Sequence, residues 1–512
     1  MHTGSPTGAP SMPRLRAAIG FVMALAAGAV CVPLAITLGQ LETRYMGAAL
    51  VAAAGMVGLA LLGSLERVRL AMVAALSLGL SIGPSISFLH HTELPGRYAP
   101  FAGGALGVTV SLSLIGAAGY LAVWLLESRL LGRRREARLL PLVVWPQLLF
   151  LATGMISFTS ALYPALVWLE VTRLICLLMI SIVVMNLTRR EMVLYLWVLA
   201  ASVMIQSGLA VVQFATGRNI GLGVLGEADL LSYRIASLTV FRPGGTIGDA
   251  NMLAYFFEIV FPVMVALLYL ARQPITRLAG AVASLAAVAG MFASYSRAAW
   301  ATIPLSAGIV TWRILGRRVV SLRTAMVLLV LAAVAMVAII WLWPVIERRL
   351  FGDDAGSTSH RWPLAQAALT IFGQFPLTGV GLNNFAVSFT AYDLTGYSRV
   401  FLGGDHVVHN LHLLILTESG IPGFAAHVLM FVAAARLAFG IAGDPVARGL
   451  AVAAWVGLFA HLCHGMVDPG FKLSLLVSQL VYAQIGLIGC LWIHGGGGSQ
   501  VRPHPVRPRH HA

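Results

Sequence analysis

Arginine and histidine side chains stand out in this sequence, because its largely apolar segments offer few other groups that could bind a phosphate or accept a proton. Arg242 lies in FRPGGTIGDANMLA (241–254), Arg297 lies in SYSRAAW (294–300), and Arg361 opens a predicted amphipathic helix. The planar guanidinium of arginine suits bidentate contacts with phosphate oxygens. Histidine accepts protons near neutral pH, and His406 and His409 lie in GGDHVVHNLH (403–412). Together these residues suit a phosphate-bearing lipid and a hydroxyl that must be deprotonated.

Plainer interpretations of the same residues stay open. An arginine in a loop near a membrane surface often anchors the chain among lipid headgroups, and an isolated histidine is often structural. His406 with Asp405 offers two metal ligands, but the segment lacks further clear ligands, so we predict no metal. We interpret His461 and His464, which lie with Asp468 after a later apolar run, as structural.

The elements that position these residues are predicted to be membrane helices. The chain has 512 residues, of which 59% are hydrophobic and 10% charged, where a soluble domain carries roughly 25% charged residues. Apolar runs of about 18 or more residues recur along the chain, and each can cross a hydrocarbon core as a helix. The sequence therefore predicts an all-α polytopic integral membrane protein, with about 12–14 transmembrane helices and a large loop that carries short helices.

The predicted spans divide the chain into six segments. Residues 1–214 hold helices 1–7, 215–251 form a loop, 252–345 hold helices 8–11, 346–410 form the large loop, 411–493 hold helices 12–14, and 494–512 form a disordered tail. Arginines in the short loops favour a cytoplasmic N-terminus and place both long loops in the periplasm. Because the net charge of +15 follows this loop pattern, it indicates topology and not a nucleic-acid partner. The predicted spans are 17–39, 46–63, 70–89, 104–126, 139–158, 164–186, 191–214, 252–271, 278–294, 299–315, 325–345, 411–437, 449–466 and 473–493.

Four motifs together resemble the O-antigen ligase and polymerase superfamily. In HNLHLLILTESGIPG (409–423) a histidine and an asparagine are followed by nine residues and then Gly-x-x-Gly, which places the pattern on His409, Asn410, Gly420 and Gly423. HRWPLAQAALTIFGQFPLTGVGLNNF (360–385) resembles the stretch before that histidine in this superfamily. The segments around Arg242 and Arg297 resemble its two arginine motifs. The resemblance covers about residues 235–470.

This resemblance implies a glycosyltransferase in the bacterial inner membrane with its active site on the periplasmic side. The implied donor is a glycan on undecaprenyl pyrophosphate, and the transfer is metal-independent, inverting and free of cofactors. In a ligase of lipopolysaccharide biosynthesis the acceptor is lipid A–core, whereas in a polysaccharide polymerase it is another lipid-linked glycan. Arg242 and Arg297 would bind the pyrophosphate, and His409 would take the acceptor proton or orient the acceptor. The other predicted substrate-binding residues are Arg361, Asn410, His406, Glu418 and Asn251.

Other residues are assigned structural roles. Gly420, Pro422 and Gly423 predict a kink beneath His409 that opens room for lipid and substrate. Asp249 and Asn251 are expected to cap the following span and hold the loop of Arg242. Glu170 and Arg173 lie at i, i+3 within one span and predict an ion network, which the intramembrane Glu258 could join.

A function from another class also stays open. A multi-spanning transporter of an anionic solute would place arginines on its path, but transporters often carry inverted repeats and broken helices near the midplane. The sequence shows no strong internal repeat, and its polar residues gather at one predicted membrane surface. These features favour the transferase.

Overall fold

The computed structural model describes residues 64–83, 85–88, 107–130, 132, 136–228, 231–235, 238–316, 343, 347, 361–400 and 407–496. The predicted spans 17–39, 46–63 and 325–345, the predicted tail and His406 lie outside these residues, apart from isolated positions. The chain divides into two units, one of Met1–Ala75 with Ile115–Glu136 and one of Leu76–Leu114 with Ala137–Ala512.

The unit boundaries fall within the first two described helices, α1 (Leu65–Gly79) and α2 (Leu112–Leu130). In the first unit, Arg69 of α1 forms an ion pair with Glu127 of α2. Gly119 of α2 lies so close to Met72 that a Cβ there would overlap the methionine side chain. The two helices therefore pack closely within this unit.

Two predicted spans are wrong in their extent. The prediction 70–89 fails because α1 ends at Gly79 and β1 (Ser85–Phe88) follows, paired antiparallel with β2 (Val108–Ser111). The prediction 104–126 fails because Val108–Ser111 form β2, and α2 begins only at Leu112. Both segments alternate Ser or Thr with Ile, Val or Phe, a pattern that fits a strand, although their composition is apolar enough for a span.

Nine helices of the described residues are long and apolar enough to cross a membrane. This finding confirms the predicted all-α polytopic fold, to which the described residues add two short antiparallel strand pairs. The nine are α3 (Pro141–Ile156, extended by a 3₁₀ turn to Ser160), α4 (Pro164–Met185), α5 (Arg189–Thr216), α6 (Ala250–Leu270), α7 (Pro274–Ala293), α8 (Arg297–Leu315), α12 (Leu411–Gly440), α13 (Pro445–His464) and α15 (Leu475–His494).

Short elements connect these spans. A 3₁₀ turn (Gly223–Leu225) precedes the hairpin of β3 (Leu231–Ile235) and β4 (Leu238–Arg242), in which Leu231 pairs with Arg242. The helices α9 (Arg361–Gln374), α10 (Phe385–Tyr392) and α11 (Tyr397–Val400) precede α12, and α14 (Gly470–Leu473) lies between α13 and α15. These are the short helices that the sequence predicts for the loop before α12.

Local sequence explains where the spans begin. Proline occupies the first turn of α3, α4, α7 and α13, where its missing N–H costs nothing. Thr188 and Glu191 form a capping box at the start of α5, and Asp444 caps α13. Of the spans, α6 and α15 are buried on nearly all sides and form the centre of the second unit.

Candidate active site

Arg242 lies at the end of β4 and contacts two other segments of the second unit. Its Nη2 donates a hydrogen bond to Asn251 Oδ1 over 2.6 Å, and its Nε donates to the Ser294 carbonyl over 3.2 Å. The side chain is 9% exposed. Arg242 thus joins its own loop to the first turn of α6 and to the end of α7.

Asn251 links Arg242 to an aspartate far away in the sequence. Its Nδ2 donates to Asp468 Oδ2 over 3.0 Å. The preceding Asp249 caps α6 by accepting hydrogen bonds from the Asn251 and Met252 amides. Asp249 and Asn251 were expected to cap the helix and hold the loop of Arg242 together. In the structure, Asp249 caps the helix and Asn251 holds Arg242.

Asp468 is the acidic residue on which these contacts converge. Burial raises the pKa of Asp468 to about 6, against the opposing positive charges of His464 and Arg361. Its Oδ1 is buried and accepts no hydrogen bond within the described part of the chain. Asp468 therefore combines one paired oxygen with one that remains available to a further donor.

Arg297 is the first residue of α8, and Tyr295 two residues earlier has a positive φ of 58°. The carbonyl that accepts from Arg242 belongs to Ser294, in the same turn. A cation at a helix N-terminus opposes the helix dipole, whereas an anion there is favoured. The two motif arginines are thus held on adjoining backbone segments, in a setting that favours a bound anion.

The histidine motif reaches the same end of the bundle. Asn410 caps α12 by accepting a hydrogen bond from the Leu413 amide, and its Nδ2 donates to the Met466 carbonyl over 3.0 Å. The Leu411 amide donates to the Gly465 carbonyl over 2.7 Å. His409, next to this cap, is therefore tied to residues 465–468, the turn that carries Asp468.

Arg361 is brought to this cluster by α9. Leu364, Ala367 and Ala368 of α9 pack with Val407 and Val408, which immediately precede His409. Arg361 Nε is buried without a hydrogen-bond partner among the described residues, and the charge of Arg361 acts on both Asp468 and His464. The structure thus brings together the predicted residues Arg242, Asn251, Arg361 and Asn410, along with the backbone segments that carry Arg297 and His409.

A buried layer of Tyr255, Glu258, Thr302 and His464 lies next to the cluster, and only His464 and Glu258 were considered in the sequence analysis. His464 Nδ1 lies 3.0 Å from Glu258 Oε2, and Thr302 donates to Glu258 Oε1 over 2.9 Å. Tyr255 stacks on His464 with a centroid distance of 4.0 Å and donates to the Asp468 carbonyl over 2.6 Å. Glu258 therefore supports the aspartate turn and does not join Glu170, as one reading of the sequence had allowed. The structural role predicted for His464 agrees with this pairing.

Glu418 lies in a different place from the cluster. It is fully buried 2.8 Å from Lys472 Nζ, which also donates to Glu170 over 2.7 Å. Arg173 donates to both oxygens of Glu170 over 2.6 and 2.8 Å. The predicted ion network thus exists, with Lys472 and Glu418 as the members that sequence reasoning missed.

The predicted kink in α12 is present at Gly420, whose φ of 65° and ψ of −172° are not helical. The backbone groups freed there bind residues 376–381: Val380 and Gly381 amides donate to Thr417 and Glu418 carbonyls, and the Ile421 amide donates to the Pro376 carbonyl. A Cβ on Gly420 would lie 2.5 Å from the Leu377 carbonyl oxygen, and one on Gly423 would overlap Ser419. Residues 376–381 therefore fill the space at the kink. The expectation that the kink opens room for substrate is wrong at this position.

The fold and the site define a multi-pass membrane protein with a cationic, partly buried cluster at one end of its helix bundle, which we call the loop end. A family model described as O-antigen ligase matches residues 281–428. This match confirms the resemblance to the O-antigen ligase superfamily. It includes Arg297, Arg361, His409 and the kink at Gly420, while Arg242, Asn251 and Asp468 lie outside it.

Similarity to other proteins is weak. The chain has no match among curated proteins. A chain of the solved structure described as "Structural coordination of polymerization and crosslinking by a peptidoglycan synthase complex" is 17% identical, covers 69% of this chain and 97% of its own length, and has a TM-score of 0.37. A TM-score this low does not establish a common fold.

Proposed function

We propose that the protein transfers a glycan from undecaprenyl pyrophosphate to an acceptor hydroxyl at the periplasmic face of the inner membrane, as an O-antigen ligase with lipid A–core as acceptor. The single observation that supports this most is the convergence of Arg242, Arg361 and the segments carrying Arg297 and His409 around residues 465–468. The family match supports a glycan-processing enzyme of the ligase and polymerase type.

The charge of the cluster suits a pyrophosphate. Arg242, Arg297 and Arg361 bring three positive charges to this end of the bundle, where Asp468 and the capping Asp249 are acidic. A pyrophosphate carries several negative charges and offers many acceptor oxygens for guanidinium forks. Arginines preset at the leaving-group oxygen stabilise the charge that develops as the glycosidic bond breaks. These residues require no metal for that step.

His409 is assigned to the acceptor. The attached segment Asn410–Leu411 is fixed by hydrogen bonds to Met466 and Gly465, so the imidazole is presented from a rigid helix cap. As the acceptor hydroxyl attacks the anomeric carbon, its proton passes to the imidazole or to water that the imidazole orients. Attack opposite the leaving pyrophosphate inverts the anomeric centre.

The layer of Glu258, His464 and Tyr255 is assigned a positioning role. Its hydrogen bonds and ring stacking hold residues 465–468 in place from below. Asp468 in turn holds Asn251, and Asn251 holds Arg242. A catalytic arginine is useful only if its geometry is kept within a fraction of an ångström, which this chain of contacts provides.

The test uses purified protein with an undecaprenyl pyrophosphate-linked glycan, supplied with lipid A–core or with no other acceptor, with and without chelator. His409→Ala and Arg297→Ala are compared with matched substitutions at the opposite end of the bundle, His494→Ala and exposed Arg190→Ala. We expect chelator-resistant transfer to lipid A–core by wild type and controls, reduced about 100-fold or more by the two site variants.

Other outcomes decide between the alternatives. Longer lipid-linked chains in place of modified lipid A–core would make the protein a polymerase that uses the same residues. Loss of transfer in chelator would contradict the metal-independent mechanism. Full activity of both site variants would overturn the assignment of the site, and wild-type protein inactive with either acceptor would contradict the proposed transfer.

A further inference from the structure

A second cationic feature lies at the opposite end of the bundle. A cavity of about 130 Å³ lies between the ends of α6, α8 and α13. The other ends of these three helices carry Asn251, Arg297 and His464 of the candidate active site. Helices of about 20 residues rise roughly 30 Å, so the cavity lies at the other membrane surface. It is lined by Leu270, Val310, Arg313, Ile314, Pro445, Arg448, Gly449 and Val452.

The lining combines two arginines with apolar side chains. Arg313 and Arg448 are the charged members, and no acidic residue is among the lining residues. Within the described part of the chain, neither guanidinium forms a hydrogen bond or an ion pair, and Arg313 lies over the ring of Phe439 at 5.1 Å. Each guanidinium therefore has its N–H donors available.

Two like charges beside one cavity at a membrane surface repel each other. An anion between them removes that repulsion and satisfies their donors in bidentate fashion. The small volume accommodates a phosphate group, while the apolar remainder of the lining suits the first methylenes of a lipid. Basic pockets between membrane helices recognise anionic lipid headgroups by this chemistry.

The surface beside the cavity is apolar and exposed. Trp312 is 59% exposed, Phe439 42% and Leu305 44%, and α8 is the least buried of the nine candidate spans. Tryptophan at such a position is typical of the membrane interface. An acyl chain can therefore run along α8 from a headgroup held at its end, which a soluble anion would not exploit.

We propose that this cavity binds the phosphate of an anionic phospholipid between Arg313 and Arg448, with an acyl chain along the exposed face of α8. The proposal does not depend on the reaction at the loop end, since it rests on a different cavity and different residues. It gives a role to two arginines whose guanidinium groups form no hydrogen bond or ion pair with the described residues and which lie where three spans end.

The test measures lipid binding to the full-length protein in detergent by native mass spectrometry, with phosphatidylglycerol, phosphatidylcholine and inorganic phosphate as probes. We expect wild type to retain one phosphatidylglycerol at least tenfold more tightly than phosphatidylcholine. The double variant R313Q/R448Q should lose that preference. The control R190Q should keep it, because exposed Arg190 lies at the same end of the bundle, next to Arg189, which donates to the His494 carbonyl at the end of α15. R313K/R448K should bind with intermediate strength, because lysine keeps the charge and loses the fork.

A thermal unfolding curve for each variant establishes that it is folded before binding is compared. Equal binding of phosphatidylglycerol and phosphatidylcholine by wild type would overturn the proposal, as would unchanged preference in R313Q/R448Q. Complete displacement of phosphatidylglycerol by an equal concentration of inorganic phosphate would also overturn it, because the acyl chain would then contribute nothing. Retention of the lipid against phosphate supports it.

Discussion

Two buried polar clusters of the second unit differ in how completely their charged groups are paired with each other. In the first, which we call the closed network, Glu170, Arg173, Lys472 and Glu418 are at most 8% exposed and lie within 2.6 to 2.8 Å of an opposite charge. Two carboxylates balance two cations. In the second, the candidate active site, Asn251 links Arg242 to Asp468 and the charge of Arg361 acts on the same aspartate, whose Oδ1 accepts no hydrogen bond among the described residues.

This difference indicates a structural role for the closed network and a functional role for the candidate active site. A buried charge is tolerated in a membrane bundle when its partner lies within the fold, so the closed network needs nothing from outside. It ties α4, α12 and α14 together next to the kink at Gly420. The cluster at the loop end gathers arginines beside Asp468, whose Oδ1 accepts no hydrogen bond among the described residues, and we propose that a negatively charged substrate binds these arginines.

The largest effect is expected from breaking the closed network. Lys472→Met leaves the buried Glu418 without the cation that neutralises it, and the donors to its carboxylate that remain among the described residues are backbone amides, including that of Phe385 at 3.4 Å. Removing one partner of a buried pair costs about 3–5 kcal/mol, so the free energy of unfolding should fall by that amount. Thermal unfolding in detergent measures this as a clear drop in Tm.

The matched control is Lys472→Met combined with Glu418→Gln, which removes the orphaned charge and should recover most of the lost stability. An unchanged Tm in the single variant would contradict this prediction. It would show that Glu418 does not depend on Lys472 for its stabilisation and that water or lipid compensates for the lost cation.

At the loop end we expect the reverse, a large loss of glycan transfer with a smaller loss of stability. Arg242→Gln should reduce glycan transfer about 100- to 1,000-fold, because it removes a donor to the leaving group worth about 2.7–4 kcal/mol. Its stability should fall by about 1–3 kcal/mol, less than in Lys472→Met, because glutamine can replace part of the hydrogen bonding to Asn251 and Ser294. Rates from the transfer assay and Tm values from the same preparations make the comparison.

Asn251→Asp is a useful companion, because it keeps an acceptor for Arg242 and places a second carboxylate beside Asp468. We expect weaker transfer than wild type with the arginine still held. If Arg242→Gln instead lowered Tm as strongly as Lys472→Met while folded protein kept its rate, the functional reading of this cluster would be wrong.

The fold was predictable from sequence where the pattern that indicates an element lies within a single helix. Apolar runs gave the nine described spans to within a few residues, and the histidine–glycine spacing gave the kink at Gly420. The strands Ser85–Phe88 and Val108–Ser111 were missed because their pairing joins residues that are 20 to 26 positions apart. No local pattern separates such a pair from the end of an apolar helix.

The site was predictable as a set of residue types and not as a set of contacts. Arg242, Arg297 and His409 stood out because charge is rare in this sequence. Glu418 and Lys472 are linked across 54 positions, and Asn251 and Asp468 across 217. Such pairings arise from helix packing, so sequence could not place Glu418 with Glu170, or Asp468 with Arg242. Lys472, as the only lysine of the chain, was the one available hint.

The smallest effect concerns pH and tests how Asp468 acts. Burial raises the pKa of Asp468 to about 6, so above pH 6 its carboxylate is charged and forms a charge-assisted hydrogen bond with Asn251. Below pH 6 it gains a proton, and Asn251 and Arg242 are held less firmly. Transfer should therefore rise several-fold between pH 5 and pH 7 with a midpoint near 6, measured as initial rate against pH.

Stability should move in the opposite direction over part of this range. Because the folded-state pKa is raised above the ordinary value of about 3.9, the folded protein binds the proton more tightly than the unfolded chain. The contribution of Asp468 to the free energy of unfolding is then largest below pH 4 and decreases as pH rises to about 6. Asp468→Asn should abolish both trends and leave a lower, flatter rate profile. A midpoint near 6 that survives in this variant would assign the titration to another group, and Asp468 would then belong with the structural charges of the closed network.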